Sequence, residues 1–467
     1  MPVTTESMQK WLRVVLGADP EAPRLSLPEY LKAIPKLDSL DDLPRGTAVL
    51  VRGDVDAKPG AKLGEGDIRL RSMKETLDYG RQKGFKQIIF GHIGREPEKS
   101  LKKVRDRLAE ILDCQVGFIE DWLDPQSVTI KDEVAEAIRA AEPGSVIVLE
   151  NTRKYDVERV LWKAKEADVA KLAEPMAKLA NQFAEKVAKV YVNEAFSAGS
   201  LDNSTTVVPA AMDRVALGSY VADQFCGPLT DCLDARLVVF SGLKIDKLDD
   251  LEAMIDRGKI RWVITAGSLA MGLLKASAEV DGKEFSIGVQ EHPDHEAKPY
   301  FIPRQRIAQA RTMITEGRAK GIRFVMPLDF VLADGRIAET LGPEDQQLDV
   351  GPKTVQLFEK KVGEFLQEYK DSEEPVVAFH NGVFGMFEDP RFEAGTKAFV
   401  PQLKRIKDAG AKVYVGGGEG GKALEKYGRE DWVTHSFTAG GTVLNALGSQ
   451  PVPYLVALEM AVRLGKS

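Results

Sequence analysis

Several basic side chains fall where a sheet of parallel strands would gather them. Arg69 lies in Asp67-Ile68-Arg69-Leu70-Arg71, which reads as the opening of a helix. His92 and Arg95 lie in Gly91-His92-Ile93-Gly94-Arg95, directly after the apolar run 87–90. Arg153 ends Glu150-Asn151-Thr152-Arg153, after the run 145–149. Two carboxylates, Asp54 and Asp56, follow the run 48–51 in Val51-Arg52-Gly53-Asp54-Val55-Asp56. A guanidinium offers a planar fork of N–H donors that matches the oxygens of a carboxylate or phosphate. One arginine alone could equally pair with a surface carboxylate. Three arginines and a histidine, all at run ends or a helix start, point instead to a small anionic ligand.

The C-terminal half carries a different chemistry. Val415-Gly416-Gly417-Gly418-Glu419-Gly420-Gly421-Lys422 joins an apolar run to a helical segment. Glycines let backbone N–H groups approach an anion, and a helix N-terminus adds positive potential. The stretch is not a P-loop, because Ala423 rather than Ser or Thr follows the lysine. A carboxylate inside such a turn, Glu419, makes most sense holding a magnesium ion. Further glycine turns stand at Ser241-Gly242-Leu243-Lys244, Ala266-Gly267-Ser268, Val350-Gly351-Pro352-Lys353 and Asn381-Gly382. Together they suggest a nucleotide site with close backbone contacts.

The elements that must position these residues are legible as nine apolar runs, at 48–51, 87–90, 145–149, 190–192, 237–240, 262–265, 323–326, 376–379 and 412–415. None alternates strictly, which predicts strands buried on both faces, as in parallel sheets. Helix-length segments such as 73–83 separate them, so the fold class is α/β with doubly wound sheets. Nine strands exceed one compact sheet, so two domains are expected. Ligands of such sheets bind beyond the carboxyl ends of the strands, where the basic and glycine-rich segments fall. Residues 202–234 break the rhythm and are expected to carry the connection. The division expected is a helical extension over 1–36, a substrate domain over 37–215, a connection over 216–235, a nucleotide domain over 236–440, and a segment 441–467 returning to the first domain.

A net charge of −7 over 467 residues, with no basic tract, argues against a nucleic-acid partner. No stretch is apolar enough for a membrane span. Cys114, Cys226 and Cys232 fit neither a zinc spacing nor a disulfide framework. No signal-peptide core follows Met1, so a cytoplasmic protein, taken as a monomer, is expected.

In order along the chain, these motifs resemble phosphoglycerate kinase from about residue 36 onward. Leu50–Pro59 is similar to the family's L-V-R-V-D-F-N-V-P, 67–71 to D-x-R-I-R, and 91–95 to S-H-L-G-R-P. VLENTRKY at 148–155 is similar to L-L-E-N-V-R-F-Y, and VNEAF at 192–196 to V-N-D-A-F. LDVGPKT at 348–354 is similar to L-D-I-G-P-K-T, NGVFGMFE at 381–388 to N-G-P-M-G-V-F-E, and 415–420 to G-G-G-D-T. The resemblance implies two Rossmann-like parallel-sheet domains joined by a hinge, with domain closure assembling the site. It implies ATP or ADP and Mg2+, and transfer of a phosphoryl group to the carboxylate of 3-phosphoglycerate. It would set Asp54, Asp56, Arg69, His92, Arg95 and Arg153 at the substrate, with Arg69 also reaching the transferred group. Lys244 and Lys247 would sit near the nucleotide phosphates, with Arg69 and Lys244 acting in catalysis. Asn381 would lie near the phosphates and Glu388 at the ribose. Gly242, Gly267 and Gly351 would wall the adenine, and Gly417, Gly418, Glu419 and Gly420 would form the phosphate turn, with Glu419 on magnesium. No general base is required, because a carboxylate is already ionised at neutral pH.

The sequence departs from the family mainly on the substrate side. Asp56 replaces an asparagine. After VNEAF the chain reads Ser197-Ala198-Gly199-Ser200-Leu201-Asp202-Asn203, so Leu201 aligns with an arginine, and Ser200 and Asn203 with histidines. Lys244-Ile245-Asp246-Lys247 is one residue short of K-V-x-D-K, which predicts a displaced second lysine. His380 stands for a tryptophan and Gly420 for a threonine. A kinase of a different small carboxylate therefore stands beside the 3-phosphoglycerate reading, with a non-catalytic nucleotide-binding protein as a third. No G-x-G-x-x-G follows the first run, which leaves a nucleotide-dependent oxidoreductase little support.

Overall fold

The structure is a computed structural model that describes residues 2–465; the first residue of the N-terminal extension and the last two of the C-terminal segment lie outside the described residues. Twelve strands make two parallel sheets. The first holds β1 (Ala48–Gly53), β2 (Lys86–Phe90), β3 (Val116–Ile119), β4 (Val146–Leu149), β5 (Val190–Glu194) and β6 (Arg214–Leu217), in the order β3-β4-β2-β1-β5-β6. The second holds β7 (Leu237–Gly242), β8 (Trp262–Ala266), β9 (Arg323–Val325), β10 (Val377–Asn381), β11 (Lys412–Gly416) and β12 (His435–Ser436), in the order β9-β8-β7-β10-β11-β12. Every pairing within both sheets is parallel.

The central strands have apolar side chains on both faces because helices cover both. In β1, Val49, Leu50 and Val51 are all buried, and Leu50 lies opposite Ile88 on one side and Tyr191 on the other. The predicted helix over 73–83 forms as Lys74–Lys83, closed by Gly84 in the left-handed region at φ 74°.

Each of the nine expected runs falls on a strand, with Ser145, Met326 and Val376 just outside, and three strands beyond them lie at sheet edges. β3, β6 and β12 lack a long apolar run, since β3 contains Gly117 and is half-exposed and β12 is only two residues long. A small antiparallel sheet of Phe330–Leu332, Ile337–Ala338 and Gln347–Val350 was likewise hidden in polar sequence.

The described residues form two compact units, one running to Gly227 and taking in the chain from Pro451, the other Pro228–Gln450. The boundary falls within the segment that breaks the strand rhythm, at a π-helical turn, Phe225–Leu229, that contains Pro228. In the first unit the helix Thr5–Val15 packs on Val169–Lys186, and Trp11 Nε1 donates to Thr206 O at 2.7 Å. The C-terminal helix Pro453–Gly465 belongs to the same unit, with Tyr454 buried against Phe225. No helix among the described residues is long and apolar enough to cross a membrane.

Candidate functional site

In the first unit, strand order reverses at β1, whose neighbours β2 and β5 lead away to opposite edges. The loops beyond the carboxyl ends of these strands converge there. Asp54, just past β1, is buried, accepts Ser197 Oγ–H at 2.7 Å, and lies 3.8 Å from Arg69 Nη1. Burial pushes its carboxyl up, while Arg69 and Ser197 pull it down. Asp56 accepts the Gly94 amide at 2.9 Å and lies 3.3 Å from Arg69 Nη1. Arg69 also donates to Asp56 O at 3.1 Å. Two carboxylates and a carbonyl thus fix the Arg69 guanidinium, which keeps a quarter of its side-chain surface in solvent (25%).

His92 and Arg153 sit in the same cluster, but inside it. Arg52 Nη2 donates to His92 Nδ1 at 2.8 Å, which assigns the proton of the neutral imidazole to Nε2. Burial and the guanidiniums of Arg52, Arg153 and Arg69 hold His92 well below the usual histidine range. Arg153 donates to Gly94 O at 2.7 Å and to Asp202 Oδ2 at 3.2 Å, and stacks over Trp162 at 4.7 Å. Arg95 stands apart, exposed on the surface of its loop.

Four members of the cluster escape a reading confined to motif spacing: Arg52, Glu158, Trp162 and Asp202. Glu158 is buried, accepts the Ser204 amide at 2.9 Å, and is pushed up by burial and by Asp202. The available sequence signal for Asp202 was its place in the loop after β5.

In the second unit the reversal lies between β7 and β10. Lys247 reaches across it, its Nζ donating to Ser241 O at 2.8 Å and to Asn381 Oδ1 at 2.9 Å. The short Lys244–Lys247 spacing therefore leaves Lys247 on the strand ends, while Lys244 is exposed. Burial holds the Lys247 ammonium below the usual lysine range, against the pull of Glu419 and Asp250. Asn381 Nδ2 donates to Gly416 O at 3.0 Å, tying β10 to β11.

Glycine is sterically required around these groups. Gly242 and Gly267 bridge their backbones, and a Cβ on Gly267 would come 2.9 Å from Gly242 O. A Cβ on Gly382, at φ 95°, would overlap Ser241 O. Gly417, at φ 94°, caps the helix Gly418–Tyr427, and a Cβ on Gly440, which opens the helix Gly440–Leu447, would lie 2.5 Å from its Cα. Two helix N-termini and a backbone-lined turn thus surround the Lys247–Asn381 pair. Gly420 is buried behind this turn.

Two expected residues lie in other settings. Gly351 caps the helix Pro352–Tyr369, whose first amides are taken by Asp329: Lys353 N donates at 3.1 Å and Thr354 N at 2.8 Å. Glu388 is exposed.

The second unit suits a magnesium nucleotide. Its turn presents backbone and a cation, and behind them, at the ends of β7 and β8, the buried hydroxyls Ser241 Oγ and Thr265 Oγ1 have no partner among the described residues. Glu419, exposed in the first helical turn, offers the hard oxygen that magnesium prefers. Among the described residues no three His, Cys, Asp or Glu side chains gather to hold a metal.

Residues 40–450 match the family model described as phosphoglycerate kinase. The chain is 27% identical over 436 residues to cytosolic phosphoglycerate kinase of Triticum aestivum, covering 89% of this chain and 96% of that one. It is 28% identical over 429 residues to phosphoglycerate kinase of Clostridium beijerinckii, with the same coverage, 89% and 96%. The fold matches phosphoglycerate kinase from Coxiella burnetii with TM-score 0.67 at 22% identity, covering 91% of this chain and 99% of that one. It matches the enzyme from Pyrococcus horikoshii OT3 with TM-score 0.66 at 22% identity, covering 92% and 100%.

Proposed function

The chain belongs to the phosphoglycerate kinase family, and we propose that it transfers the γ-phosphoryl group of ATP, reversibly, to the carboxylate of a small acid. The relatives' name makes 3-phosphoglycerate the first acceptor to test. The observation that carries the reading is the glycine-lined turn around Lys247 and Asn381 at the reversal of the second sheet, the place where a doubly wound sheet takes its nucleotide.

A carboxylate oxygen of the acid attacks the γ-phosphorus. The new P–O bond forms as the β,γ-bridging P–O bond breaks, and ADP leaves with the bridging electron pair. The acid arrives ionised, so no proton is abstracted, which fits a His92 held neutral. Charge spreads over three equatorial oxygens in the transition state, so the protein's contribution is positioning and positive charge. Arg69, fixed by Asp54 and Asp56, is the first unit's cation for the transferred group. Lys247 and the helix that opens at Gly418 would hold the phosphates of the nucleotide, with Lys244 at their edge. Magnesium bound with Glu419 would neutralise part of the phosphate charge.

The test is to incubate the protein with magnesium ATP, hydroxylamine and a panel of acids that includes 3-phosphoglycerate and glycerate. Acyl phosphate is then trapped as hydroxamate. At least one acid should give hydroxamate, and Arg69→Ala should lower kcat about 100-fold. Magnesium ATP binding with no hydroxamate from any acid would replace this reading with a non-catalytic nucleotide-binding protein.

A further inference from the structure

We propose that the acceptor is a small carboxylic acid without a phosphate group, and that Asp202 is the residue that sets this specificity. The inference rests on the carboxyl-kinase reading above.

Asp202 is fully buried in the middle of the basic cluster of the first unit. It accepts hydrogen bonds from Arg153 Nη2 at 3.2 Å, Trp162 Nε1 at 2.9 Å and Ser200 Oγ at 3.3 Å. Arg52 Nη2 lies 3.9 Å from its carboxylate and His92 Nδ1 3.4 Å. A fixed protein carboxylate thus stands where the surrounding guanidiniums would otherwise call for an anion from solution. Neither arginine can turn outward, since Arg52 is 1% exposed and Arg153 6%. Their other donors are engaged too. Arg52 donates to Ser204 Oγ, Gly53 O and His92 Nδ1, and Arg153 Nη1 donates to Gly94 O. Of the nitrogens of these two arginines only Arg153 Nε is buried without a partner among the described residues, and that is one donor, not a fork.

Charge balance leads to the same substrate. The guanidiniums of Arg52, Arg69 and Arg153 meet the carboxylates of Asp54, Asp56 and Asp202, and His92 is neutral. Glu158, also in contact with the cluster, adds no positive charge. At the rim, Arg159 is paired with Asp156, which leaves Arg95 exposed. A phosphate monoester would bring about two further negative charges into this balanced cluster, and a buried anion without a matching cation is strongly disfavoured. A monocarboxylic acid brings one. Its carboxylate can meet Arg69, and a hydroxyl or ammonium on its other end finds an acceptor in Asp56, which is partly exposed.

The experiment compares glycerate with 3-phosphoglycerate in the hydroxamate assay and by calorimetric titration, for the native protein and for Asp202→Asn. The amide keeps the carboxylate's shape and removes its charge, so the cluster gains one net positive charge to set against a phosphate. The native protein should use glycerate with the higher kcat/KM. Asp202→Asn should raise kcat/KM for 3-phosphoglycerate about 10-fold or more, through KM, by the ordinary worth of a charge-assisted hydrogen bond. It should raise 3-phosphoglycerate affinity in the titration by a similar factor. A native kcat/KM for 3-phosphoglycerate of about 10⁶ M⁻¹s⁻¹ or higher, or a variant that weakens both acids alike, overturns the proposal while leaving the kinase reading intact. If Asp202→Asn does not fold, the native titration decides. Binding of 3-phosphoglycerate about 10-fold tighter than glycerate overturns the proposal, and weaker binding supports it.

Discussion

Replacing Lys247 by methionine separates a catalytic cation from a structural strut. Methionine keeps the aliphatic stem over the Phe240 ring, where Nζ now lies 5.6 Å from the centroid, and deletes the ammonium. Two acceptors then lose their donor, Ser241 O and Asn381 Oδ1. An unsatisfied buried acceptor costs about 1–3 kcal/mol. Part of that is offset, because burial already disfavours the ammonium and lowers its pKa. The net loss of stability is therefore about 1–3 kcal/mol, or a fall in Tm of about 2–12 °C for units of this size. The catalytic loss should be larger. A fixed positive group facing the charge that develops on the phosphates is worth about 3–4 kcal/mol, so kcat/KM for ATP should fall about 100- to 1000-fold. Steady-state kinetics with varied magnesium ATP, run alongside thermal unfolding, read the two effects separately. Lys247→Arg, which keeps the charge, should recover part of the rate. A variant whose Tm falls while kcat/KM for ATP stays within about threefold of native would refute the reasoning and leave Lys247 as a tie between β7 and β10.

Two further outcomes follow from groups the reaction does not use directly. Glu194 is buried, accepts from Thr76 Oγ1 at 2.7 Å and from the Tyr220 and Val221 amides, and burial pushes it up to about 7. A carboxyl whose folded pKa lies above its unfolded value contributes its full stability below the unfolded pKa and loses it as pH rises through about 7. Relative to Glu194→Gln, the native protein should lose about 2–3 kcal/mol between pH 5 and 8 in urea unfolding, and a pH-independent difference would contradict this. Gly382→Ala adds a Cβ that overlaps Ser241 O at a left-handed φ of 95°. It should destabilise the protein by about 2 kcal/mol or more and weaken nucleotide binding by calorimetry, and unchanged unfolding and binding would show that this approach is loose.

The sequence by itself determined the class of fold and most of its strands. Strands buried on both faces need unbroken apolar runs, so β1, β2, β4, β5 and the five longest strands of the second sheet announce themselves. The edges did not. A strand with one neighbour can be short or half-polar, as β3, β6 and β12 are, and then nothing in its composition separates it from a loop. Much of the candidate site was legible for the same reason: Asp54, His92 and Arg153 follow strands that are easy to see, and Asn381 ends one. What only the tertiary structure decided was which neighbours those residues meet. Lys244 and Lys247 look equivalent in sequence, and the first turn of the helix Lys247–Asp256 turns one onto the strand ends and leaves the other exposed. Gly351 carries the same kind of signal as Gly417, yet the Asp329 carboxylate takes the amides of its helix. Asp202 reads as one more polar loop residue. It becomes the carboxylate between Arg52 and Arg153 only because loops after four different strands converge at one sheet reversal, so that side chains distant in the chain share the same buried space and must balance each other's charge.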